Sequence, residues 1–187
     1  GEARPFKNRG FDYSRSEGYI NYKINNNLTI QFGHGKHFIG NGYRSLILSD
    51  NTFSYPFLRL QTNLGIFRYT NLYTEFMDIR NNQLSIIDGY QGWSRKYMSL
   101  HFLECEINDR IKIGVFESII YAENHAPGVS SLDINYLNPI IFYRPVEYSL
   151  GSPDNALIGI DLKINTSKKQ FLYAQFIYRL LKLLYLF

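Results

Sequence analysis

Cysteine is almost absent from this sequence, since Cys105 is the single one among 187 residues. That scarcity excludes a disulfide framework within the chain and a metal site built from several thiolates. Long apolar runs are also missing, and no stretch reaches the roughly 18 apolar residues that a membrane-spanning helix needs. The net charge is +4, but basic residues never form a run longer than two. The sequence therefore predicts no nucleic-acid partner.

Aromatic residues, by contrast, are abundant. The chain has 16 Tyr and 14 Phe, and aromatic residues make up 17% of it. Tyrosine at this level is typical of strands, membrane interfaces and sugar-binding surfaces, and it does not suit a helical bundle. The length suits one domain with a core. We predict a single all-β domain over residues 1–187, with an irregular N-terminal segment at 1–17 and a tail at 180–187 that we assign to no element.

Apolar and polar residues alternate along much of the chain with the period of two that predicts half-buried strands. Clusters of Asn, Asp, Gly, Ser and Lys predict tight turns near residues 26, 64, 109 and 167, whereas long loops are predicted near residues 40, 87 and 130. Tight turns alternating with long loops are typical of an antiparallel outer-membrane β-barrel, which has short periplasmic turns and longer extracellular loops. A soluble β-sandwich shows a similar alternation, so both architectures stay open on this pattern.

The stretch from Ile134 to Asp161 differs from an ordinary strand. Two prolines, Pro139 and Pro145, bracket an apolar run, and each removes a backbone donor and restricts φ. A dense turn signal over residues 151–155 follows, and an amphipathic strand comes directly after it. We therefore predict a shaped, polar loop that leads into a strand with one fully apolar face.

Two segments resemble the Wzi-type capsule assembly proteins. The first is FGHGKHFIGNGYRSLILSDNTFSYPFLRL, around residues 33–60, in which a strand ends in glycines and an aromatic-Pro step leads into the next strand. The second is YLNPIIFYRPVEYSLGSPDNALIGID, at residues 136–161, which is similar to family members from gliding bacteria. The resemblance covers roughly residues 18–178.

This resemblance implies a β-barrel in the bacterial outer membrane, with the lipid bilayer and a surface polysaccharide as partners. Family members help to assemble or attach capsular or extracellular polysaccharide, by binding rather than by catalysis, and relatives are linked to gliding motility. Family barrels have more strands than the about eight to ten that this chain can supply, so we predict a partial barrel from a larger one. The alternatives are a soluble carbohydrate-binding β-sandwich outside the cytoplasm and a gliding-motility protein of the outer membrane.

Charged residues in such a barrel are expected to face the lumen, because lipid does not solvate them. They would either brace an inward-folded loop through ion pairs or bind sugar through hydrogen bonds and ring stacking, and both roles stay open. The candidates for this lumenal bracing or ligand binding are Arg44, Asp50, Arg59, Tyr143, Arg144, Glu147, Tyr148, Asp154 and Asn155.

Catalytic and metal-binding patterns are weak in this sequence. His34 and His37 match no metal motif, and no carboxylate lies near them in sequence. Glu104 and Glu106 share one strand face, but glycoside hydrolysis needs its carboxyl groups on either side of a sugar ring. No Gly-x-Ser-x-Gly pattern is present. We predict no catalytic residue, no metal and no cofactor.

Overall fold

The computed structural model of the chain describes residues 4–7, 10–12, 15–78, 85–87, 90–92, 94–122, 134–139 and 155–180. Within these ranges the protein is all-β, apart from one short 3₁₀ helix at Ile134–Leu137. None of the described residues forms a helix long and apolar enough to cross a membrane. The strands are β1 Arg4–Phe6, β2 Gly10–Asp12, β3 Gly18–Lys23, β4 Leu28–Gly35, β5 Tyr55–Leu64, β6 Phe67–Asp78, β7 Ser85–Ile87, β8 Tyr90–Gly92, β9 Ser94–Asn108, β10 Ile111–Ala122, β11 Asn155–Ser167 and β12 Gln170–Leu180.

One sheet of eight antiparallel strands dominates the structure, in the order β3-β4-β5-β6-β9-β10-β11-β12. Each strand lies beside its neighbour along the chain, except that the small β7–β8 hairpin is inserted between β6 and β9. The predicted all-β, antiparallel architecture is confirmed. In the described residues the sheet is open rather than closed into a barrel, with β3 and β12 as its two edges.

All tight turns lie at one end of this sheet and all long connections lie at the other, as the sequence predicted. Asparagine side chains form two of the tight turns. The Asn25 side-chain oxygen accepts hydrogen bonds from the backbone of Asn27 and Leu28, and Asn108 does the same for residues 110 and 111. Such Asx turns replace the backbone pairing that the chain loses when it reverses. Gly65 completes a third turn with a φ of 60°, which Gly and, to a lesser extent, Asn adopt more readily than other residues.

One face of the sheet carries the main core and is covered by the loop over residues 36–54, and we call it the loop-covered face. Ile39 from that loop packs on buried side chains of four central strands. The main core consists of Ile39, Tyr55, Phe57, Leu72, Met98, Leu100, Phe102 and Phe116. The rest of this face is polar, since residues such as Gln31, Arg59 and Lys163 alternate with the apolar side chains of the opposite face.

The opposite face, which we call the apolar face, is bare towards the tight-turn end. Its large exposed side chains come from edge and central strands alike, and they include Ile20, Phe32, Phe67, Val115, Ile160, Leu172 and Phe176. Towards the long-loop end, the segment 134–139 covers the same face over the central strands. Tyr136, which is 1% exposed, packs against Tyr121 with ring centroids 4.7 Å apart. The hydroxyls of Tyr69 and Tyr73 donate to backbone oxygens of this covering segment.

Two elements go beyond the sequence-based description. Strands β1 and β2 pair within the segment 1–17 that the sequence indicated to be irregular, and β7 and β8 form a hairpin in the predicted loop near residue 87. All four strands have three residues, which is too short to show a period of two. Most of the predicted shaped loop, residues 140–154, lies outside the described residues.

Candidate functional site

The loop over residues 36–54 connects β4 to β5 near one edge of the sheet, yet it contacts β11 and β12 at the other edge. Backbone and side-chain nitrogens of Asn41 reach Asp161 on β11, and the Leu46 amide reaches Gln175 on β12. Strands β6, β9 and β10 lie between these two edges in the sheet order. The loop therefore crosses the loop-covered face from one side of the sheet to the other.

Asp161 is the centre of this attachment and is fully buried, with 0% of its surface exposed. Its Oδ1 accepts hydrogen bonds from the Asn41 backbone N–H at 3.1 Å and from the Gln175 side-chain amide at 2.7 Å. Its Oδ2 accepts a further bond from the Asn41 side-chain amide. A buried carboxylate is stable only when several donors surround it, and these amide groups provide them. Asp161 thus holds the loop on the sheet.

Gln175 and Ser45 extend the attachment along the loop. The Gln175 side-chain oxygen accepts from the Leu46 amide at 2.8 Å, and its nitrogen donates to the Ser45 hydroxyl at 3.2 Å. The Ser45 hydroxyl in turn donates to the Ile39 carbonyl. Gly40 has a φ of 112°, and a Cβ there would overlap both Gln175 and Ser45. We call the hydrogen-bonded group of Asn41, Ser45, Asp161 and Gln175 the loop anchor.

Aromatic and basic side chains lie beside the loop anchor. Tyr43 is 83% exposed, and the Arg44 guanidinium lies 5.9 Å from the centre of its ring. On the neighbouring strands, Lys163 pairs with Tyr173, and the Lys163 ammonium lies 4.9 Å above the ring of Phe171. A Cβ at the preceding loop residue, Gly42, would overlap the Tyr173 ring, so loop and strand are in close contact there. We call Tyr43, Arg44, Lys163, Phe171 and Tyr173 the basic strip.

The basic strip leads to a cleft of about 650 Å³ between two neighbouring turns at the tight-turn end of the sheet. The cleft, which we call the turn cleft, is lined by Asp109, Arg110, Asn165, Thr166, Ser167, Lys168, Lys169, Gln170 and Phe171. Asn165 connects the two turns, because its backbone amide donates to the Arg110 carbonyl and its side chain donates to the Asp109 carbonyl. Basic side chains outnumber acidic ones in this lining, so the cleft favours an anionic ligand.

The two glutamates that a glycoside hydrolase would need lie on the loop-covered face but are engaged in ion pairs. Glu104 lies 3.4 Å from the Arg68 guanidinium, and Glu106 pairs with the Lys112 ammonium. Both carboxylates thus have basic partners across the sheet. No group of three or more residues able to hold a metal ion occurs within the ranges that the structure describes.

His37 anchors the base of the loop by burial rather than by ligation. Its ring meets the Phe57 ring edge-on at 4.2 Å, and its backbone amide donates to the Tyr55 hydroxyl at 3.2 Å. Burial, together with the smaller effect of the positive charge of Arg59, lowers the pKa of the imidazole to about 4. His37 is therefore neutral at physiological pH, whereas His34 is exposed and bonds to the Ser16 carbonyl.

The candidate residues from the sequence analysis are spread over the sheet. Arg44 belongs to the basic strip, while Asp50 is exposed on the same loop, and its backbone oxygen accepts from the Lys36 ammonium. Arg59 on β5 donates to Gln61, and Asn155 at the start of β11 accepts from Arg179. The remaining candidates, Tyr143, Arg144, Glu147, Tyr148 and Asp154, lie outside the described residues.

Sequence reasoning missed the residues of the loop anchor. A signal was present, since Asp161 is the acidic residue of β11, between two of its apolar positions, and Gly40-Asn41-Gly42 is a turn signal. Nothing local, however, connects positions 120 residues apart.

Comparison with known proteins adds no relative, since no family model, no curated protein and no solved structure matches this chain. The similarity to Wzi-type proteins therefore stays a prediction from the two sequence segments.

Proposed function

We propose that this chain forms part of the wall of a bacterial outer-membrane β-barrel that assembles or attaches surface polysaccharide by binding it. The bare apolar face of the eight-stranded sheet carries this proposal. Exposed apolar side chains cost free energy in water, about 25 cal/mol per Å² of apolar surface, and single soluble domains rarely leave so large a patch uncovered. A lipid bilayer is the partner that would cover this face.

The dimensions of the apolar face support a lipid contact. On β11 the apolar residues run from Ala156 to Ile164, which corresponds to about 27 Å along a strand. Tilted by about 40°, as barrel strands are, this stretch projects to about 20 Å, close to the apolar band of about 25 Å in outer-membrane barrels. The bare part ends where Tyr73, Tyr97 and Tyr121 are buried beneath the segment 134–139.

The charged side chains of the loop-covered face support a lumen. It carries the ion pairs of Glu104 and Glu106 and the buried Asp161, which lipid would not solvate. The interior of an eight-stranded barrel is just wide enough for its own side chains. Here the loop-covered face also holds the loop over residues 36–54, so a closed barrel around it would need more than eight strands. We therefore propose a partial wall of a larger barrel.

The proposed role in binding a surface polysaccharide, capsular or otherwise, rests on the Wzi-type resemblance together with the basic strip. Exposed rings of Tyr43 and Tyr173 offer faces on which sugar rings stack, and Arg44 and Lys163 offer hydrogen-bond donors. The glutamates on this face are paired with basic residues, which favours binding over bond cleavage. A role in gliding motility is compatible with the same binding surface.

A soluble, extracytoplasmic carbohydrate-binding β-sandwich is the second candidate. It is favoured by the segment 134–139, which covers part of the apolar face with protein. In that architecture a second layer would cover the rest of the face, and the protein would need no membrane.

Membrane fractionation of the natural polypeptide, with gel mobility compared before and after boiling, separates these candidates. The proposal expects an outer-membrane location and a heat-dependent mobility shift. A matched pair sharpens the test, because Ile20 and Asn21 are neighbouring exposed residues on opposite faces of β3. Ile20→Arg should impair membrane insertion, since Arg on a lipid-facing strand costs up to about 2–4 kcal/mol, whereas Asn21→Arg should not. A soluble polypeptide that tolerates both substitutions would instead establish the β-sandwich.

A further inference from the structure

We infer that the basic strip and the turn cleft together bind a negatively charged polysaccharide, such as one that contains uronic acids. This inference rests on the proposed function, which gives polysaccharide as the ligand. It adds that the polysaccharide is negatively charged and says where it binds. The juxtaposition of exposed rings with cationic groups along β11 and β12 is the observation that carries it.

Strand register makes the two parts one continuous surface. On the loop-covered face, Asp161 pairs with Gln175, Lys163 with Tyr173, and Asn165 with Phe171. Successive pairs on one face are separated by two residues, or about 7 Å. The surface thus extends for about 14 Å from the loop anchor to the turn cleft, which is long enough for more than one sugar ring.

The charge of this surface is positive because the nearby carboxylates are few and most of them already have hydrogen-bond or ion-pair partners. Asp161 is buried and saturated by amide donors, and Glu106 pairs with Lys112. Asp109 is the acidic residue among those that line the turn cleft. Basic residues outnumber this carboxylate. They come from the loop, the strand and both turns, and they are Arg44, Arg110, Lys163, Lys168 and Lys169.

Each part of the surface has a chemical role towards an acidic sugar chain. The exposed rings of Tyr43, Phe171 and Tyr173 offer stacking faces to sugar rings. Arg44 offers a planar donor pair that matches a carboxylate, and Lys163 offers an ammonium that is already positioned over an aromatic ring.

The loop anchor holds part of this surface in place before any ligand arrives. Its hydrogen bonds fix residues 39–46, so Tyr43 and Arg44 project from a backbone that is fastened to β11 and β12. A surface that is ordered in advance loses less conformational entropy on binding than a free loop would. The anchor residues are therefore positioning residues for the binding surface.

The test uses the full chain and three polymers: polygalacturonate and dextran sulfate as anionic probes, and dextran as the neutral probe. Lys163→Gln combined with Lys168→Gln removes charge from the surface. Lys23→Gln combined with Lys36→Gln removes the same charge elsewhere, since these two lysines lie on β3 and at the start of the loop. We expect the unmodified chain to prefer an anionic polymer, the first double variant to bind it at least about tenfold more weakly, and the control to bind it normally.

Tyr173→Ala tests stacking separately from charge. It should weaken binding of the anionic polymer. Salt dependence tests charge: raising the salt concentration should reduce the affinity of the first double variant by a smaller factor than the affinity of the unmodified chain. Equal losses in the two double variants, equal affinity for dextran and the anionic polymers, or no binding of either anionic polymer would each overturn the inference. Equal affinity for dextran would still leave the proposed polysaccharide binding intact, and membrane fractionation tests the barrel independently.

Discussion

Replacing Asp161 tests whether one buried carboxylate holds the loop over residues 36–54 against the far edge of the sheet. Asp161→Ala removes the acceptor of the hydrogen bonds from Asn41 and Gln175. A hydrogen bond to a charged group contributes about 1.5–3 kcal/mol, and donors left buried without a partner add a further cost. The three bonds would add up to about 4.5–9 kcal/mol, but because the loop can detach and rehydrate its donors, we expect a smaller net loss of about 3 kcal/mol.

Hydrogen exchange of individual backbone amides is the assay that detects this loss locally. The amides of Asn41 and Leu46 donate to side chains of the loop anchor, so they should be protected in the unmodified protein. A loss of about 3 kcal/mol corresponds to roughly hundredfold faster exchange through local opening. Amides in the central strands β6 and β9 should keep their protection, because their ladders do not include Asp161.

Two further variants make the interpretation specific. Asp161→Asn keeps the shape of the side chain and one acceptor oxygen, so it should cost less than Asp161→Ala. Asp50→Asn is the matched control, since Asp50 is an exposed carboxylate on the same loop. If exchange at Leu46 in Asp161→Ala stays close to that of the unmodified protein, the anchor does not hold the loop and the reasoning is wrong.

Three other predictions concern the loop and the covering segment. Burial lowers the pKa of His37 to about 4 from its ordinary 6.5, so the unfolded state binds the proton more tightly. The contribution of His37 to stability should therefore be complete above about pH 6.5. The free energy of unfolding, measured with denaturant, should fall by at most about 3 kcal/mol as the pH decreases towards 4. His37→Gln should reduce this pH dependence, and His34→Gln, at an exposed ring, is the matched control. Gly40→Asn should release the loop to proteolysis, because its Cβ would overlap the anchor, whereas Gly65→Asn, which also has a positive φ but open space around it, should be tolerated. Tyr136→Ala should destabilise the protein by about 3–5 kcal/mol in thermal unfolding if the segment 134–139 is part of the folded core, and a negligible effect would show that it is not.

Much of the fold could be predicted because its signals are local. Alternation along Ile158, Ile160 and Leu162 indicates a strand with one apolar face, and the structure places these residues on the apolar face. Asn25 and Asn108 mark turns because an asparagine side chain bonds to the backbone two or three residues ahead. Each of these signals needs only a few neighbouring residues, so the sequence shows it directly.

The candidate site could be predicted only in part, since a sequence shows which residues are charged but not which residues they contact in the fold. Arg44 was a candidate and lies in the basic strip. Arg59 was also a candidate, but it bonds to its strand neighbour Gln61 rather than to the loop. Lys163 and Tyr173 are unremarkable in sequence, and only the register of β11 against β12 brings them together.

The sequence by itself determined that this chain forms strands, where most of them begin and end, which turns are tight, and that one face of several strands, such as β11, is apolar. These properties follow from side-chain periodicity and turn chemistry within a few residues. Tertiary structure alone decided that Asn41 reaches Asp161 across three intervening strands. The reason is that this contact depends on the twist, register and packing of several strands together, and no single segment encodes it.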